Sequence, residues 1–194
     1  MTFSTLIKPA VLQLRREAQP GAYRRERDLH HHLTLCLHAT APLGLGQPQR
    51  ILRLEEPTPA KYCWSSADSK AGNVDFFFPR SKTALELNLD YIDADKIKQD
   101  LIKLNDPLNQ YGEAVYFACA AQKHRCNFRD RIQVGFRRAL ETLKTPTGAE
   151  FMLPAPLYVI ALELSSNGHN LWEAYSDSRS SDTLSWILHT DKDE

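Results

Sequence analysis

The sequence GNVDFFFPRSKTALELNLDYIDADKIKQDLIKL, residues 72–104, decides the fold of this chain. A run of apolar residues, a turn that contains proline, an alternating segment and a helical periodicity divide it into four elements. We predict a strand at 73–78, a turn at 79–82, a second strand at 83–90 and a helix at 94–104. A tight hairpin followed at once by a helix indicates a sheet that carries a helix on its face.

Two carboxylates face each other across this hairpin. With Arg80 and Ser81 at the tip of the turn, Asp75 lies opposite Glu86. Like charges in directly opposed positions destabilise an antiparallel pair, so solvent, a shared proton, a basic neighbour or a metal ion must compensate. A shift of one residue would put the two carboxylates on opposite faces. Two carboxylates beside a backbone carbonyl are an oxygen set that suits Mg²⁺.

A third carboxylate comes from an earlier helix, predicted at 23–39. Its apolar face consists of Leu29, Leu33, Cys36 and Leu37. Extending this face backwards leads to Glu26, and a carboxylate on the core side of a helix is costly unless it has a partner. We therefore treat Glu26 as a candidate for the same site as the hairpin carboxylates.

The remaining histidines and cysteines show no ligand spacing typical of a metal site. Three consecutive histidines, His30 to His32, point in different directions on a helix and cannot all bind one ion. We expect them to be solvated or locally hydrogen-bonded. The scattered cysteines are expected to be free thiols of a cytoplasmic protein; they are Cys36, Cys63, Cys119 and Cys126.

The rest of the chain interleaves strands and helices. We predict helices at 7–18 and 128–144, strands at 50–55, 113–121 and 156–164, a short edge strand at 171–175, and irregular segments at 40–49 and 57–71, the latter with a short strand at 62–64. Interleaving favours an α/β fold with a central mixed sheet flanked by helices. We expect a single domain over 1–194, in which residues 150–180 complete the sheet.

Composition excludes several classes of protein. The 194 residues include 24 Lys and Arg against 24 Asp and Glu, and 42% are hydrophobic. This balance argues against a disordered chain, and no apolar run approaches the length of about 20 residues that a membrane span needs. The first residues reach charge too soon for a secretory leader. We expect a cytoplasmic protein with no membrane partner.

The hairpin residues resemble a known superfamily. Asp75, then Glu86-Leu87-Asn88 on the next strand, then a helix rich in Lys and Asp, is similar to the PD-(D/E)xK nucleases, which have the restriction-endonuclease-like fold. In that family an acidic residue on one strand precedes (Asp/Glu)-x-Lys on the next, and an N-terminal helix often adds a Glu, which Glu26 matches. The resemblance covers residues 22–122 and implies a nuclease-like core at about 22–145.

The resemblance implies a metal-dependent nuclease that hydrolyses phosphodiester bonds. Asp75, Glu86 and the Leu87 carbonyl would bind Mg²⁺ or Mn²⁺, with Glu26 at the ion directly or one contact away. The ion would orient a water for attack and stabilise charge on the phosphate. With Asn88, the three acidic residues would form the catalytic site.

The sequence departs from the family pattern at Asn88, which stands where the family has lysine. Asparagine is neutral and cannot act as a base. Some restriction enzymes carry Glu or Gln there and still cut, and Lys96 or Lys98 of the next helix can supply positive charge. The alternative is a catalytically inactive relative that keeps the fold and binds nucleic acid or protein.

Basic residues mark where nucleic acid, DNA in the first place, is expected to bind. Residues 123–144 hold seven Lys and Arg against two acids, and such patches attract phosphate without reading sequence. The candidates are Arg129, Arg137, Arg138, Lys96 and Lys98. A second cluster consists of Arg15, Arg16, Arg24, Arg25 and Arg27. A solvated helix face is the alternative interpretation of both. Cutting two strands would require a homodimer or a partner protein.

Overall fold

Seven strands and four helices make up the described part of the chain. The computed structural model describes residues 2–41, 52–62, 70–90, 93–121, 128–142, 156–176 and 185–189. The helices are α1 (Lys8–Glu17), α2 (Glu26–Thr40), α3 (Ala94–Asn105) and α4 (Phe128–Thr142). The strands are β1 (Arg53–Tyr62), β2 (Lys70–Phe78), β3 (Thr83–Leu89), β4 (Glu113–Ala120), β5 (Leu157–Glu163), β6 (Asn170–Ser176) and β7 (Ser185–His189).

All seven strands belong to one mixed sheet, in which spatial order follows chain order from β1 to β7. The central strands β3, β4 and β5 run parallel, and the outer neighbours pair antiparallel. The parallel steps pass through α3 and then α4. Right-handed crossovers in one direction leave both helices on the same face. The predicted α/β class with a central mixed sheet is confirmed.

Each face of the sheet carries one hydrophobic core. On one face, α1 and α2 cover residues that include Leu85, Leu87 and Phe117. On the other, α3 and α4 cover a set that includes Ala84 and Tyr116. Adjacent residues of β3 thus belong to different cores, as strand alternation requires. Glu86 and Asn88 therefore project toward α3 and α4.

The hairpin has the predicted register. Its strands pair Phe76 with Leu85, Phe77 with Ala84 and Phe78 with Thr83, and the turn occupies 79–82. The helix that follows differs from the prediction by one residue, because α3 extends to Asn105. The hairpin and this helix were predicted well because their patterns are local.

Segments that pair with a neighbouring strand across a longer connection were predicted less well. The segment after Pro57 was expected to be irregular, but β1 continues to Tyr62 by pairing with β2. Proline is tolerated there because β1 is an edge strand, and its register shifts between Pro57 and Lys61. Strand β7 was not predicted. The expected loop at 40–49 and residues 63–64 of the short strand lie almost wholly outside the described residues.

Within the described ranges, no helix combines the length and the apolar character needed to cross a membrane.

Two glycines allow a prediction about packing. A Cβ at Gly112 would lie 2.8 Å from the Ser81 backbone oxygen, whereas a Cβ at Gly135 would lie 2.7 Å from the Cδ1 atom of Ile97. Backbone cannot yield cheaply, but the tip of an isoleucine side chain can. We expect Gly112→Ala to lower the free energy of unfolding by about 1–3 kcal/mol. Gly135→Ala should stay within about 1 kcal/mol of wild type, because α4 gains helix propensity.

Urea unfolding of both variants provides the measurement. Equal losses for the two would contradict the distinction between a rigid and a flexible neighbour.

Candidate active site

Asp75 lies where β2 separates from β3. Pairing between the two strands extends from Phe78 to Phe76, and the Asp75 side chain takes over from there. Its Oδ2 accepts a hydrogen bond of 2.7 Å from the Leu87 amide. Side-chain alternation also reverses at this point, since Val74 packs with the α3 side and Phe76 with the α1–α2 side. Asp75 is thus built into the sheet where β3 is left without a backbone partner from β2.

Glu26 occupies the adjacent position along β3. It is the first residue of α2, and its Oε2 accepts from the Leu89 amide at 3.4 Å. Amides two residues apart point to the same edge of a strand, so Asp75 and Glu26 contact the same edge. The residue as a whole is exposed, so the expectation that Glu26 faces the core was only partly correct. Its carboxyl turns to the sheet because it lies at the helix end.

Both carboxyls are harder to ionise than usual. Burial raises the pKa of Asp75, and the Leu87 hydrogen bond and Lys103 only partly offset this. Partial burial of the carboxyl, followed by the negative charge of Asp75, raises the pKa of Glu26. The two groups therefore repel each other at this edge of the sheet.

Glu86 has a basic partner on the side of the sheet that α3 covers. The residue is 1% exposed, and its Oε1 lies 2.5 Å from Nζ of Lys103 on α3. The same ammonium lies 3.1 Å from Oδ1 of Asp100 and donates to the Asn73 carbonyl at 3.2 Å. Of the four forms of compensation expected for the hairpin carboxylates, the structure provides a basic neighbour.

Asn88 belongs to the same buried network. Its Nδ2 donates a 2.9 Å hydrogen bond to Oδ2 of Asp100, which is 0% exposed. Lys96 lies 3.2 Å from the other oxygen of Asp100. Asn88 therefore fixes a carboxylate of α3, and lysines of α3 bring positive charge to this carboxylate.

Burial works against both the carboxylates and the lysines of this network. Burial and Asp100 raise the pKa of Glu86 well above its usual range, and Lys103 offsets only part of this. Burial alone would lower the pKa of Lys103, but Glu86 and Asp100 outweigh it and raise the pKa. Lys103 is thus a firmly charged ammonium that holds two buried acids.

Sequence reasoning missed Asp100 and Lys103. A signal was present, because Asp100 lies on the apolar stripe of α3 formed by Ile97, Leu101 and Leu104. The argument that singled out Glu26 applies equally to a carboxylate in that position.

Asp75 also belongs to a group of metal-ligand side chains. Within the described ranges, His30, Glu55 and Asp75 bring three ligand atoms within 4.8 Å of one another, as do Glu17, His32 and Cys36. The His30 ring stacks on Phe76 with centroids 4.2 Å apart. Neither group includes Glu26 or Glu86. The structure thus adds His30 and Glu55 to the donors around Asp75.

The backbone of β3 fits the expected oxygen donors. The N–H and C=O of one strand residue point to the same edge. Because the Leu87 amide faces Asp75, its carbonyl faces the same edge. The donors at this edge are Asp75, the Leu87 carbonyl, Glu26, Glu55 and His30. Glu86 lies on the α3 side of β3, in contact with Lys103.

The predicted nucleic-acid residues are dispersed. Arg137 and Arg138 are exposed on α4, and the side chain of Arg129 lies outside the described part. Lys96 directs its ammonium to Asp100, and Lys98 is half-buried on α3.

One arginine of the second basic cluster, Arg15, is buried rather than exposed. Arg15 is 3% exposed and donates to the His169 carbonyl at 2.9 Å, so the expectation that it joins a solvent-facing cluster was wrong. It lies on the inner side of α1. The other four arginines of that cluster are exposed.

Comparison of the chain with models of protein families, with curated proteins and with solved structures gives no match. The resemblance to the PD-(D/E)xK nucleases stays a prediction from the residues.

The buried network predicts a large effect of removing its ammonium. Lys103→Met would leave Glu86 and Asp100 buried without their shared cation, and breaking a buried pair costs about 3–5 kcal/mol. We expect a loss of that order in urea unfolding. Lys98→Met, on the same helix, should change the free energy of unfolding by less than about 0.5 kcal/mol.

A double variant tests whether the loss comes from the charge pair. Adding Glu86→Gln to Lys103→Met should cost less than the sum of the single losses, by about 0.5–3 kcal/mol. Strict additivity would show that Lys103 acts through packing alone.

Because the pKa of Asp75 is raised, we predict that Asp75→Asn stabilises the protein, and that the gain depends on pH. A carboxyl whose pKa is higher in the folded state binds more protons there, so its ionisation destabilises the fold as pH rises. Asp75→Asn keeps an acceptor for the Leu87 amide and removes the charge. In the presence of a chelator, its advantage in melting temperature should be small below pH 4 and grow toward neutral pH.

The exposed Asp95→Asn is the matched control and should show little pH-dependent difference from wild type. The idea fails if the Asp75→Asn advantage is largest in acid or does not depend on pH.

Proposed function

We propose that this protein is a divalent-metal-dependent nuclease that hydrolyses phosphodiester bonds. One observation carries the proposal. Asp75 and Glu26 accept hydrogen bonds from the Leu87 and Leu89 amides at one edge of β3. Glu86 directly precedes Leu87 on the same strand. Acidic residues from an N-terminal helix and from two neighbouring strands are the arrangement that the resemblance implies.

The donor set supports Mg²⁺ or Mn²⁺ as the cofactor. Asp75, Glu86 and the Leu87 carbonyl are oxygen donors, which these ions prefer. When bound, the ion supplies an oriented water and charge stabilisation at the phosphate. Glu26, with its raised pKa, is the group we assign to accept the proton of the attacking water.

Lysines of α3 take the part of the missing family lysine in this proposal. Asn88 holds Asp100, and Asp100 holds Lys96 and Lys103. Lys103 contacts the Glu86 carboxyl and favours its ionised form, against the effect of burial. A bound ion would compete with this ammonium for the Glu86 carboxylate.

Nucleic acid is the proposed substrate, DNA in the first place. Arg137 and Arg138 lie exposed on α4 and can bind phosphates without reading sequence. Binding through such residues weakens as salt rises.

A second candidate function is a non-catalytic relative that binds nucleic acid or protein. The closed network favours it, because Glu86 pairs with Lys103 and Asn88 with Asp100 within the chain. A site that needs no ion to satisfy its buried charges is also consistent with a structural role.

A cleavage assay tests the first proposal. Duplex DNA, single-stranded DNA and RNA are incubated with Mg²⁺ or Mn²⁺, and wild type is compared with Asp75→Asn and Glu86→Gln. We expect metal-dependent cutting that falls by roughly 10²–10³ in either variant, as when one group that stabilises transition-state charge is removed. Asp75→Asn is the sharper test, because it is expected to remain at least as stable as wild type.

Asp95→Asn serves as the control and should cut like wild type. Cutting that survives in both site variants would rule out this active site. Absence of cutting on all substrates, with salt-sensitive DNA binding that depends on Arg137 and Arg138, would support the binding function instead.

A further inference from the structure

A second cluster of metal-ligand side chains lies between α1 and α2, away from the proposed active site. Oε2 of Glu17 lies 2.9 Å from Nε2 of His32 and 3.9 Å from Sγ of Cys36. The three ligand atoms all lie within 4.8 Å of one another. The cluster joins the end of α1 to the middle of α2.

The spacing on α2 suits two ligands on one side of a helix. His32 and Cys36 are four residues apart, and residues at i and i+4 lie one above the other on the same face. Glu17 is the last residue of α1 and approaches them from the neighbouring helix. A small movement of the Glu17 carboxylate adjusts its two separations, from His32 and from Cys36.

Tyr23 fixes the orientation of the histidine ring. Its hydroxyl lies 2.6 Å from Nδ1 of His32. A metal-bound histidine usually makes such a contact through its second ring nitrogen, which orients the ring and selects the tautomer. With Nδ1 bound to Tyr23, Nε2 is the nitrogen that faces Glu17 and Cys36.

We propose that Glu17, His32 and Cys36 bind one Zn²⁺ ion. Typical Zn–S, Zn–N and Zn–O bond lengths in a tetrahedral site put ligand atoms about 3.3–3.7 Å apart. The separations of 2.9 and 3.9 Å bracket that range. On binding, the Cys36 thiol gives up its proton to solvent, the neutral His32 ring carries its single proton on Nδ1 toward the Tyr23 hydroxyl so that Nε2 can bind the ion, and the ion takes the place of the hydrogen bonds to Glu17.

Solvent completes the site. The Glu17 side chain is 47% exposed, so a water can occupy the fourth position beside it. Three protein ligands with one open position are a recognised zinc arrangement. The buried Cys36 closes the opposite side.

The chemistry of the donors separates this site from the one at Asp75. A thiolate and an imidazole select Zn²⁺ over Mg²⁺, which prefers oxygen ligands. The zinc site therefore does not depend on the proposed nuclease activity. Because its ligands come from two helices, a bound ion should also hold α1 against α2.

Cobalt substitution provides the test. The full chain is reduced with a non-thiol reductant, stripped with a chelator, exchanged into chelator-free buffer and titrated with Co²⁺. We expect one equivalent to give a thiolate-to-cobalt charge-transfer band in the near ultraviolet, which Zn²⁺ abolishes by displacing Co²⁺. Zn²⁺ should also raise the melting temperature, as any ligand of the folded state does.

Three variants locate the ion. Cys36→Ser should lose the charge-transfer band, and His32→Gln should weaken Zn²⁺ affinity at least tenfold. Glu17→Gln, at an exposed position that does not threaten folding, should weaken it about tenfold. The neighbouring His31→Gln is the matched control and should bind like wild type.

Several results would overturn the proposal. A charge-transfer band that persists in Cys36→Ser would place the ion at another cysteine. Unchanged Zn²⁺ affinity in Glu17→Gln, or no thermal shift of wild type with excess Zn²⁺, would show that these side chains form a hydrogen-bond network only.

Discussion

The arrangement around β3 depends on the ion pairs that the Lys103 ammonium makes with two acidic side chains. The ammonium lies between the buried side chains of Glu86 and Asp100, and two acids brought together in a core are costly without a shared cation. Through these contacts α3 is held in register with β3, and Asn88 adds a hydrogen bond to the same acid. Packing of Ile97 and its neighbours fills the interface, but the charge network determines which side chains meet there.

The edge of β3 beyond its pairing with β2 obeys a different constraint. Once β2 leaves β3, the amides of Leu87 and Leu89 require acceptors, and buried amides without partners are rare. Carboxylates from β2 and α2 fill this need. Two sets of acidic groups therefore approach one strand, from its edge and from its α3 side. This convergence makes a functional interpretation reasonable, since acids are seldom concentrated in a core for stability alone.

Local patterns accounted for more of the molecule than distant contacts did. The hairpin register from Phe76 to Thr83 follows from the turn and from alternation. The ladder ends there, and Asp75 contacts the Leu87 amide while Glu86 contacts Lys103, rather than the two carboxylates facing each other as predicted. The path of β1 beyond Pro57 depends on pairing with β2, and the presence of β7 depends on pairing with β6; neither pairing is signalled by a tight turn in the sequence. At the site, the sequence did not single out Lys103, because its acceptors become neighbours only when α3 docks. Asp100 could have been identified as a site residue from the sequence, because it is an acidic residue on the apolar stripe of α3.

Helix α2 has a consequence for how the molecule can move. Glu26 begins it and Cys36 lies ten residues later, which is about 15 Å along a helix. His30, between them, touches the Asp75 carbonyl, while His32 touches Glu17. If α2 tilts as a rigid body, the distance between His32 and α1 changes. The distance between the Glu26 carboxylate and the Leu89 amide of β3 changes with it. Geometry at one end of α2 is therefore not independent of geometry at the other.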